Sequence, residues 1–445
     1  MSRISRRQNR SLSAAEGNIE IASRASATLG QRLQLPTNII LAALLLIFYA
    51  TTLSAQTAIK GKTVYTMAGA PIKNGVVLVK DGKIENVGTA SAVSIPTGYE
   101  VIEAEVVTPG LIDAHSVVGL AGWYNQKHDQ DQLDKASAIQ PELRAMDAYN
   151  AREKLVEFVM QHGVTTLHTG HAPGALISGQ SVLVKTVGNT LDDVLLDSTV
   201  MITMTLGSTV GRNFKKPGTR AKGVAMLRTS FLKAQDYQKK LKKKGDKKPD
   251  RDLAMETLVK VLEGKMSALI TANRSVEIMT ALRLADEFGF KLILDGAAES
   301  YLVLDEIKAA GVPVLIHPTM TRTRRFYPHV HNMGDTKNAS YETAAKLKAA
   351  GIPFAFQAGY ENYVPKTRIV LYEAAIAAAN GLSREDALAA ITIEPARILG
   401  IDKTVGSLEK GKQADIVCYN GDPFEYVTHV CTVMIAGEVV HTACN

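Results

Sequence analysis

The stretch TPGLIDAH, residues 108–115, places a short apolar run directly before His115. It completes a first predicted strand, residues 106–114, and similar apolar runs recur along the chain with helix-like segments between them. The further predicted strands are residues 164–169, 182–187, 200–206, 268–272, 291–294, 312–316 and 353–356. The predicted helices between them include residues 148–161, 276–288, 301–310 and 341–350. About eight strand-then-helix units predict an α/β fold, a (β/α)8 TIM-like barrel.

Two of these strands are preceded by the same short motif, an Ala-Ala pair and then a glycine. Gly311 precedes the strand at 312–316 and Gly351 precedes the strand at 353–356. Because glycine readily adopts the left-handed backbone that ends a helix, we expect both residues to be helix C-caps.

Both flanks of the barrel region contain short alternating runs typical of antiparallel strands. Asp81-Gly82 separates two such runs near the start, and Gly437 separates two near the end. We therefore predict an accessory β-sandwich built from both chain ends. The expected boundaries are a leader at 1–55, the first half of the sandwich at 56–107, the barrel at 108–404 and the second half of the sandwich at 405–445.

Residues 1–55 have the features of an export signal. Six arginines precede an unbroken apolar run at residues 39–50, and small residues ending at Ala55 follow it. The run is short for a bilayer span of about twenty residues, so a cleaved signal peptide is favoured over an uncleaved anchor. Either alternative predicts an exported protein, periplasmic or extracellular, with membrane contact only through an uncleaved leader.

The charge balance does not favour a nucleic-acid partner. The chain carries a net charge of +7, but residues 1–55 contribute six Arg and two Glu, so the remainder carries only +3. The lysine-rich stretch at residues 233–251 is predicted to be a solvated helix and loop on the barrel rim. Contact with an anionic surface is its alternative.

Three cysteines, Cys418, Cys431 and Cys444, lie close to the C-terminus. Their odd number and the lack of a CxxC pair support neither a zinc knuckle nor a disulfide framework. Two alternatives stay open: a Cys418–Cys431 bridge in an oxidising compartment, or packed small residues.

The TPGLIDAH stretch resembles the PGLIDxHxH motif of the amidohydrolase superfamily, in its imidazolonepropionase-like and prolidase-like branch. A second resemblance covers the C-terminal signature of that branch. It comprises Gly381-Leu382-Ser383, Asp386-Ala387-Leu388, Ile391-Thr392, Pro395-Ala396, Leu399-Gly400, Gly406-Ser407-Leu408-Glu409, Gly411-Lys412, Ala414-Asp415 and Gly421-Asp422-Pro423. The resemblance extends over roughly residues 58–445. It implies hydrolysis of C–N bonds in non-peptide or dipeptide amides, with zinc or another divalent metal activating a water.

This sequence departs from the family at the metal ligands that the resemblance implies. The second histidine of HxH is Val117, and the residues at the other expected ligand regions are Thr203, Ser208, Thr271, Asn273, Asp295 and Gly359. Only His115 keeps the family's residue type. Since catalytic zinc needs about three protein ligands, we expect no metal centre of the family's own kind and therefore impaired hydrolysis. No catalytic residue is assigned.

A rearranged metal site is one alternative, with vestigial or relocated ligands His115, His168, His171, Asp295 and His317. A separate HxH, His329 and His331, and a modified Lys185 are weaker candidates for such a site. A metal-free pocket is favoured, lined by His115, Thr271, Asn273, Asp295, His317 and Gln357. The functional alternative is a non-catalytic barrel. It would bind a small molecule, form a homo-oligomer or pair with an active relative.

Overall fold

The computed structural model describes residues 56–124, 126–198, 200–243, 248–318, 338–359 and 369–444. The predicted leader and the His329–His331 pair lie outside these ranges. Within them, no helix combines the length and the apolar composition needed to cross a membrane.

The strands alternate with helices through the middle of the chain. In chain order they are β1 Thr57–Val64, β2 Ile72–Lys80, β3 Lys83–Thr89, β4 Glu100–Pro109, β5 Leu111–Ser116, β6 Val164–Thr169, β7 Ile177–Gln180, β8 Val182–Lys185, β9 Leu195–Asp197, β10 Met201–Thr205, β11 Ser267–Thr271, β12 Leu292–Gly296, β13 Val314–Ile316, β14 Phe354–Phe356, β15 Ile416–Tyr419, β16 Val430–Ile435 and β17 Glu438–His441.

The described helices are numbered in chain order. They are α1 Lys154–Gln161, α2 Leu191–Val194, α3 Ser208–Asn213, α4 Arg220–Leu241, α5 Leu253–Leu262, α6 Ser275–Phe288, α7 Leu304–Ala310, α8 Thr343–Ala350, α9 Ile369–Ala378, α10 Arg384–Ala389 and α11 Ile393–Leu399. Gly311 and Gly351 end α7 and α8 with φ of 64° and 72°, so both predicted C-caps are confirmed. The predicted helix at 148–161 begins only at Lys154, because the Glu153 side chain caps the backbone N–H of Leu155.

Strands from both ends of the chain form one seven-stranded sheet, in the order β17-β16-β15-β4-β1-β2-β3. The two ends meet where β15 pairs antiparallel with β4, with Ile416 opposite Pro109. The predicted pairing of the flanks is therefore present, whereas the predicted sandwich is not confirmed. The Asp81-Gly82 turn joins β2 to β3 as expected from its sequence.

The central region forms two further sheets of mixed direction. One has the order β14-β13-β12-β11-β10-β7 and the other β5-β6-β8-β9. An isolated bridge from Ser116 to Gly359 links β5 to the end of the β14 segment. The arrangement is TIM-barrel-like, but among the described strands the pairing does not continue around a closed barrel. Every residue of β5, β6 and β12 is buried, as expected for strands covered on both faces.

The predicted parallel strand at 182–187 was wrong in direction. Its structural counterpart, β8, runs antiparallel to β6, and β7 immediately before it runs antiparallel to β10. Residues 170–176 connect β6 to β7 without a helix. Residues 170–181, which separate β6 from its partner β8, contain β7 and no helix that could serve as the crossover of a parallel pair.

The predicted strand at 106–114 is divided at Gly110 between two sheets. A Cβ atom at this glycine would lie 2.2 Å from Oγ1 of Thr165, so the chain passes too close to β6 for any larger residue. Pro109 therefore ends β4 in the seven-stranded sheet and Leu111 begins β5 in the barrel-like region.

The cysteines do not form the Cys418–Cys431 bridge that the sequence left open. A disulfide joins Cys431 to Cys444, and Cys418 is a buried thiol. The strand register gives the reason, because Cys418 stands opposite Thr432 rather than its neighbour. Successive side chains of a strand point to opposite faces, so Cys431 faces away from Cys418.

Candidate functional site

Four of the predicted site residues form one hydrogen-bonded cluster at the carboxyl ends of the strands. His115 lies on β5, Thr271 on β11, Asp295 on β12, and Gln357 directly after β14. Oδ1 of Asp295 lies 3.0 Å from Nδ1 of His115 and 2.5 Å from Nε2 of Gln357, and Oδ2 lies 2.5 Å from Oγ1 of Thr271. We call these four residues the Asp295 network. TIM-barrel active sites lie at this end of the strands.

The Asp295 network holds its carboxylate in the charged form. Burial by itself raises the pKa of Asp295, but His115 and the hydrogen bonds from Thr271 and Gln357 outweigh burial and leave the pKa below its ordinary value. Because an ionised carboxylate can only accept hydrogen bonds, Nδ1 of His115 must carry the proton between them. All four side chains are at most 4% exposed. Asp295 is therefore a buried charge with three hydrogen-bond partners, while Oε1 of Gln357 has none among the described residues.

A second buried carboxyl, Asp113, adjoins the network and was missed by the sequence reasoning. Its Oδ1 accepts the backbone N–H of Ala358 at 3.0 Å and that of His115 at 3.3 Å. Its Oδ2 has no hydrogen-bond partner among the described residues. Burial raises the pKa of Asp113 to about 7, and the two backbone N–H groups offset this only in part. The signal was a lone acidic residue within an apolar strand.

His168 is not available to bind a metal, because both of its ring nitrogens form hydrogen bonds. Its Nδ1 lies 2.6 Å from the backbone oxygen of Ala114, and its Nε2 lies 2.6 Å from Oγ of Ser181. Burial, with a smaller contribution from His115, lowers its pKa to about 3, so the ring is neutral. Both ring nitrogens are occupied by structural partners, although the ring centroid lies only 5.7 Å from that of His115.

His171 lies in the loop after β6 and packs against the backbone of Gly179. A Cβ atom at Gly179 would come within 2.4 Å of Cδ2 of the ring. Burial lowers the pKa of His171 to about 4, and Asp134 opposes the shift. This histidine is thus a neutral core residue.

His317 follows β13 and pairs with Glu373 of α9. Its Nε2 lies 3.0 Å from Oε1 of the glutamate, and neither side chain is accessible to solvent. Glu373 was not predicted. It is the only charged residue in the otherwise apolar helix sequence IVLYEAAIAA, and a buried charge of that kind requires a partner.

The remaining candidates are distributed around the network. Asn273 and His317 line a small cavity together with Ser340 and Thr343. Lys185, which the sequence left open as a modified ligand, instead forms a buried ion pair with Asp415.

The positions expected to hold the family's other ligands carry no strong donor to a metal. Val117 is a buried apolar residue, and the Thr203 hydroxyl donates to the backbone oxygen of Gly179 at 3.0 Å. Ser208 begins α3, and Gly359 has a left-handed backbone with φ of 90°.

The residues at this site do not fit a zinc centre. His115 is one suitable ligand, but Thr271 and Gln357 are poor ligands for zinc, and both carboxylate oxygens of Asp295 already accept short hydrogen bonds. Among the described residues, no group of three or more His, Cys, Asp or Glu side chains is arranged to hold a metal ion.

Comparisons with known proteins agree with the fold. A sequence model of the amidohydrolase family matches residues 330–440. The chain is similar to the crystal structure of an amidohydrolase from Thermotoga maritima, with 28% identity, a TM-score of 0.79, and coverage of 87% of this chain and 100% of that one. No curated protein matches its sequence.

Two more distant structures share the fold alone. A prolidase complexed with N-methylphosphonate-L-proline has 17% identity and a TM-score of 0.56, with coverage of 87% of this chain and 100% of that chain. An ochratoxinase from A. niger has 15% identity and a TM-score of 0.55, with coverage of 87% of this chain and 96% of that chain.

Proposed function

The chain belongs to the amidohydrolase superfamily, with prolidases among its structural relatives, and from this premise we propose that its hydrolytic centre is metal-free and impaired. The family's chemistry opens C–N bonds by activating a water on a metal. Here His115, Thr271 and Gln357 bind Asp295 instead of a metal, and the chain keeps a hydrolase-like fold without the ligand set that would activate that water.

The hydrogen bonding of Asp295 carries this proposal. A carboxylate that serves as a metal ligand must leave an oxygen lone pair directed at the ion. In the Asp295 network His115 and Gln357 engage one oxygen, and Thr271 engages the other. If the Asp295 carboxylate turned to bind a metal, its buried hydrogen-bond donors would lose their acceptor. Each unsatisfied donor would cost about 1–3 kcal/mol.

A non-catalytic binding role is the second candidate. The cavity lined by Asn273, His317, Ser340 and Thr343 brings amide, imidazole and hydroxyl groups together, but its volume of about 20 Å³ has room for only one water, so a small-molecule ligand would bind in a different cleft. Pairing with an active relative, or assembly of identical copies, belongs to the same proposal. Such a partner would supply the chemistry that this chain lacks.

Export from the cytoplasm is also part of the proposal. The disulfide between Cys431 and Cys444 supports it, because disulfides persist mainly in oxidising compartments such as the periplasm and the extracellular space.

Elemental analysis of protein purified without chelator tests the proposed loss of the metal. We expect well below one zinc per chain and no hydrolysis of dipeptides or cyclic amides above background. His128→Ala, at an exposed histidine, is the control variant. About one metal per chain, lost together with a measurable amidase activity in His115→Ala but kept in His128→Ala, would overturn the proposal.

A further inference from the structure

A cleft lies between helices α4 and α6, next to the chain that follows β10. It has a volume of about 1090 Å³ and shares no residue with the Asp295 network. Its floor is apolar and buried, formed by Leu176, Leu206, Val210 and Leu284. Its walls expose more apolar surface, including Val276, which is 52% exposed. We call it the α4–α6 cleft.

Two ion pairs bridge the cleft from helix to helix. Nε of Arg220 lies 2.8 Å from Oε1 of Glu277, and Nε of Arg228 lies 2.8 Å from Oε1 of Glu287. These pairs neutralise both glutamates that line the cleft.

Arg283 is the third arginine of the cleft and has a different environment. Its guanidinium donates to Oγ1 of Thr280 at 2.9 Å, and within the described ranges it forms no ion pair with a carboxylate. Its position on α6 lies between Glu277 and Glu287, so its charge stands between the two bridges. The cleft therefore combines an apolar floor with one positive charge that the protein does not balance.

We propose that the α4–α6 cleft binds a small monocarboxylate with an apolar body. The planar guanidinium of Arg283 suits a carboxylate, which it can hold through two parallel hydrogen bonds. One uncompensated cation favours one negative charge, whereas a phosphate dianion would need a second cation and both other arginines are engaged. The apolar body would cover the side chains of Val276 and Leu284 and the floor below them.

The helix ends beside the cleft do not supply an alternative anion site. The first turn of α6 is already satisfied, because Glu277 accepts the N–H of Arg274 and Glu299 accepts that of Ser275. The first turn of α4 is capped by Thr219, which accepts the N–H of Lys222. Recognition of the ligand's charge therefore falls to the Arg283 side chain.

Isothermal titration calorimetry with three probes tests this assignment on the full chain. We expect saturable binding of octanoate and none of octanol or acetate, since the first lacks the charge and the second lacks the apolar body. Arg283→Gln should weaken octanoate binding at least about tenfold. Arg251→Gln is the matched control, because Arg251 is also an exposed arginine and lies outside the cleft.

A second variant acts without removing the arginine. Thr280→Glu places a carboxylate at the cleft position whose hydroxyl Arg283 already contacts, one turn away on α6, and it should compete with octanoate for Arg283. Octanoate binding that is unchanged in Arg283→Gln, or no saturable heat in the wild-type protein, would overturn the assignment. Repeating the titration with His115→Ala separates the two proposals, because loss of the strand-end network should leave octanoate binding intact.

Discussion

Nδ1 of His115 and Oδ1 of Asp295 lie 3.0 Å apart, and neither side chain is more than 1% exposed. In this fold the histidine on the first barrel strand normally faces a metal, according to the family pattern that residues 108–115 resemble. Here a carboxylate on another strand is its neighbour instead. The pair thus joins β5 to β12 across the site, which gives it a structural role that can be measured.

Asp295→Asn should destabilise the protein by about 2–4 kcal/mol. The substitution removes the charge that His115, Thr271 and Gln357 all face, and an amide places donors where the network needs acceptors. The free energy of unfolding from urea titration at pH 7 gives the measurement.

Asp236→Asn controls for the loss of an acidic residue. The Asp236 side chain is 70% exposed and lies 3.7 Å from Lys239, so its loss should change stability by less than about 0.5 kcal/mol. An Asp295→Asn protein as stable as this control would contradict the proposed structural role of the network.

Stability should fall with acidification because of His168 and His171. Their folded-state pKa values of about 3 and about 4 lie below the ordinary histidine value of 6.5. Their contribution is complete above pH 6.5 and is lost as the pH falls toward those values, at about 1.4 kcal/mol per pH unit for each group. Asp113 works in the opposite sense, since its raised pKa of about 7 favours the folded state as the pH falls.

A difference measurement isolates His168. The free energy of unfolding of wild type minus that of His168→Asn should decrease as the pH falls from 7 to 4.5, with Asp113 and His171 contributing equally to both proteins. His168→Gln serves as a second variant if the first does not fold. A difference independent of pH would show that His168 is not buried in its neutral form.

The strand positions could be predicted from the sequence, because apolar runs and glycine caps are local signals. Residues 164–169 and 312–316 lie on predicted strands that the structure also contains, the second as the shorter β13. The direction of β8 relative to β6 could not be predicted in the same way. A parallel neighbour needs a crossover, usually a helix, and the prediction of about eight strand-then-helix units assumed a helix after β6 that the structure does not contain.

The partners within the site depended on contacts between distant residues. His115 and Asp295 are 180 residues apart, and His317, after strand β13, pairs with Glu373 of helix α9. Sequence spacing cannot reveal such contacts. Isolated charges in apolar segments, Asp113 and Glu373, were nevertheless visible and would have pointed to buried partners.

Asp415→Asn should cost about 3–5 kcal/mol, since it leaves the Lys185 ammonium buried without its counter-ion. The two side chains are 8% and 3% exposed, and they connect β8 to the segment that leads into the seven-stranded sheet. Glu103→Gln is the control, because the Lys60–Glu103 pair is exposed and should contribute less than about 1 kcal/mol. Replacing both buried partners by apolar residues, Lys185→Met with Asp415→Leu, should recover part of the loss. A single Asp415→Asn variant that unfolds like wild type would exclude this ion pair as a stabilising link.

The predicted leader and the C-terminal disulfide make one joint prediction about the mature protein. Export with cleavage near Ala55 would place the chain in an oxidising compartment, where the Cys431–Cys444 disulfide persists and Cys418 stays a buried thiol. Intact mass spectrometry of protein from the periplasmic or extracellular fraction should therefore find a chain that begins near Gln56 and has one thiol reactive only after unfolding. Cys444→Ser should leave Cys431 as a second thiol, open to alkylation in the folded state, while Cys418→Ser should keep the disulfide. A mature chain that starts at Met1, recovered from the cytoplasm with three reduced thiols, would refute both the export and the disulfide together.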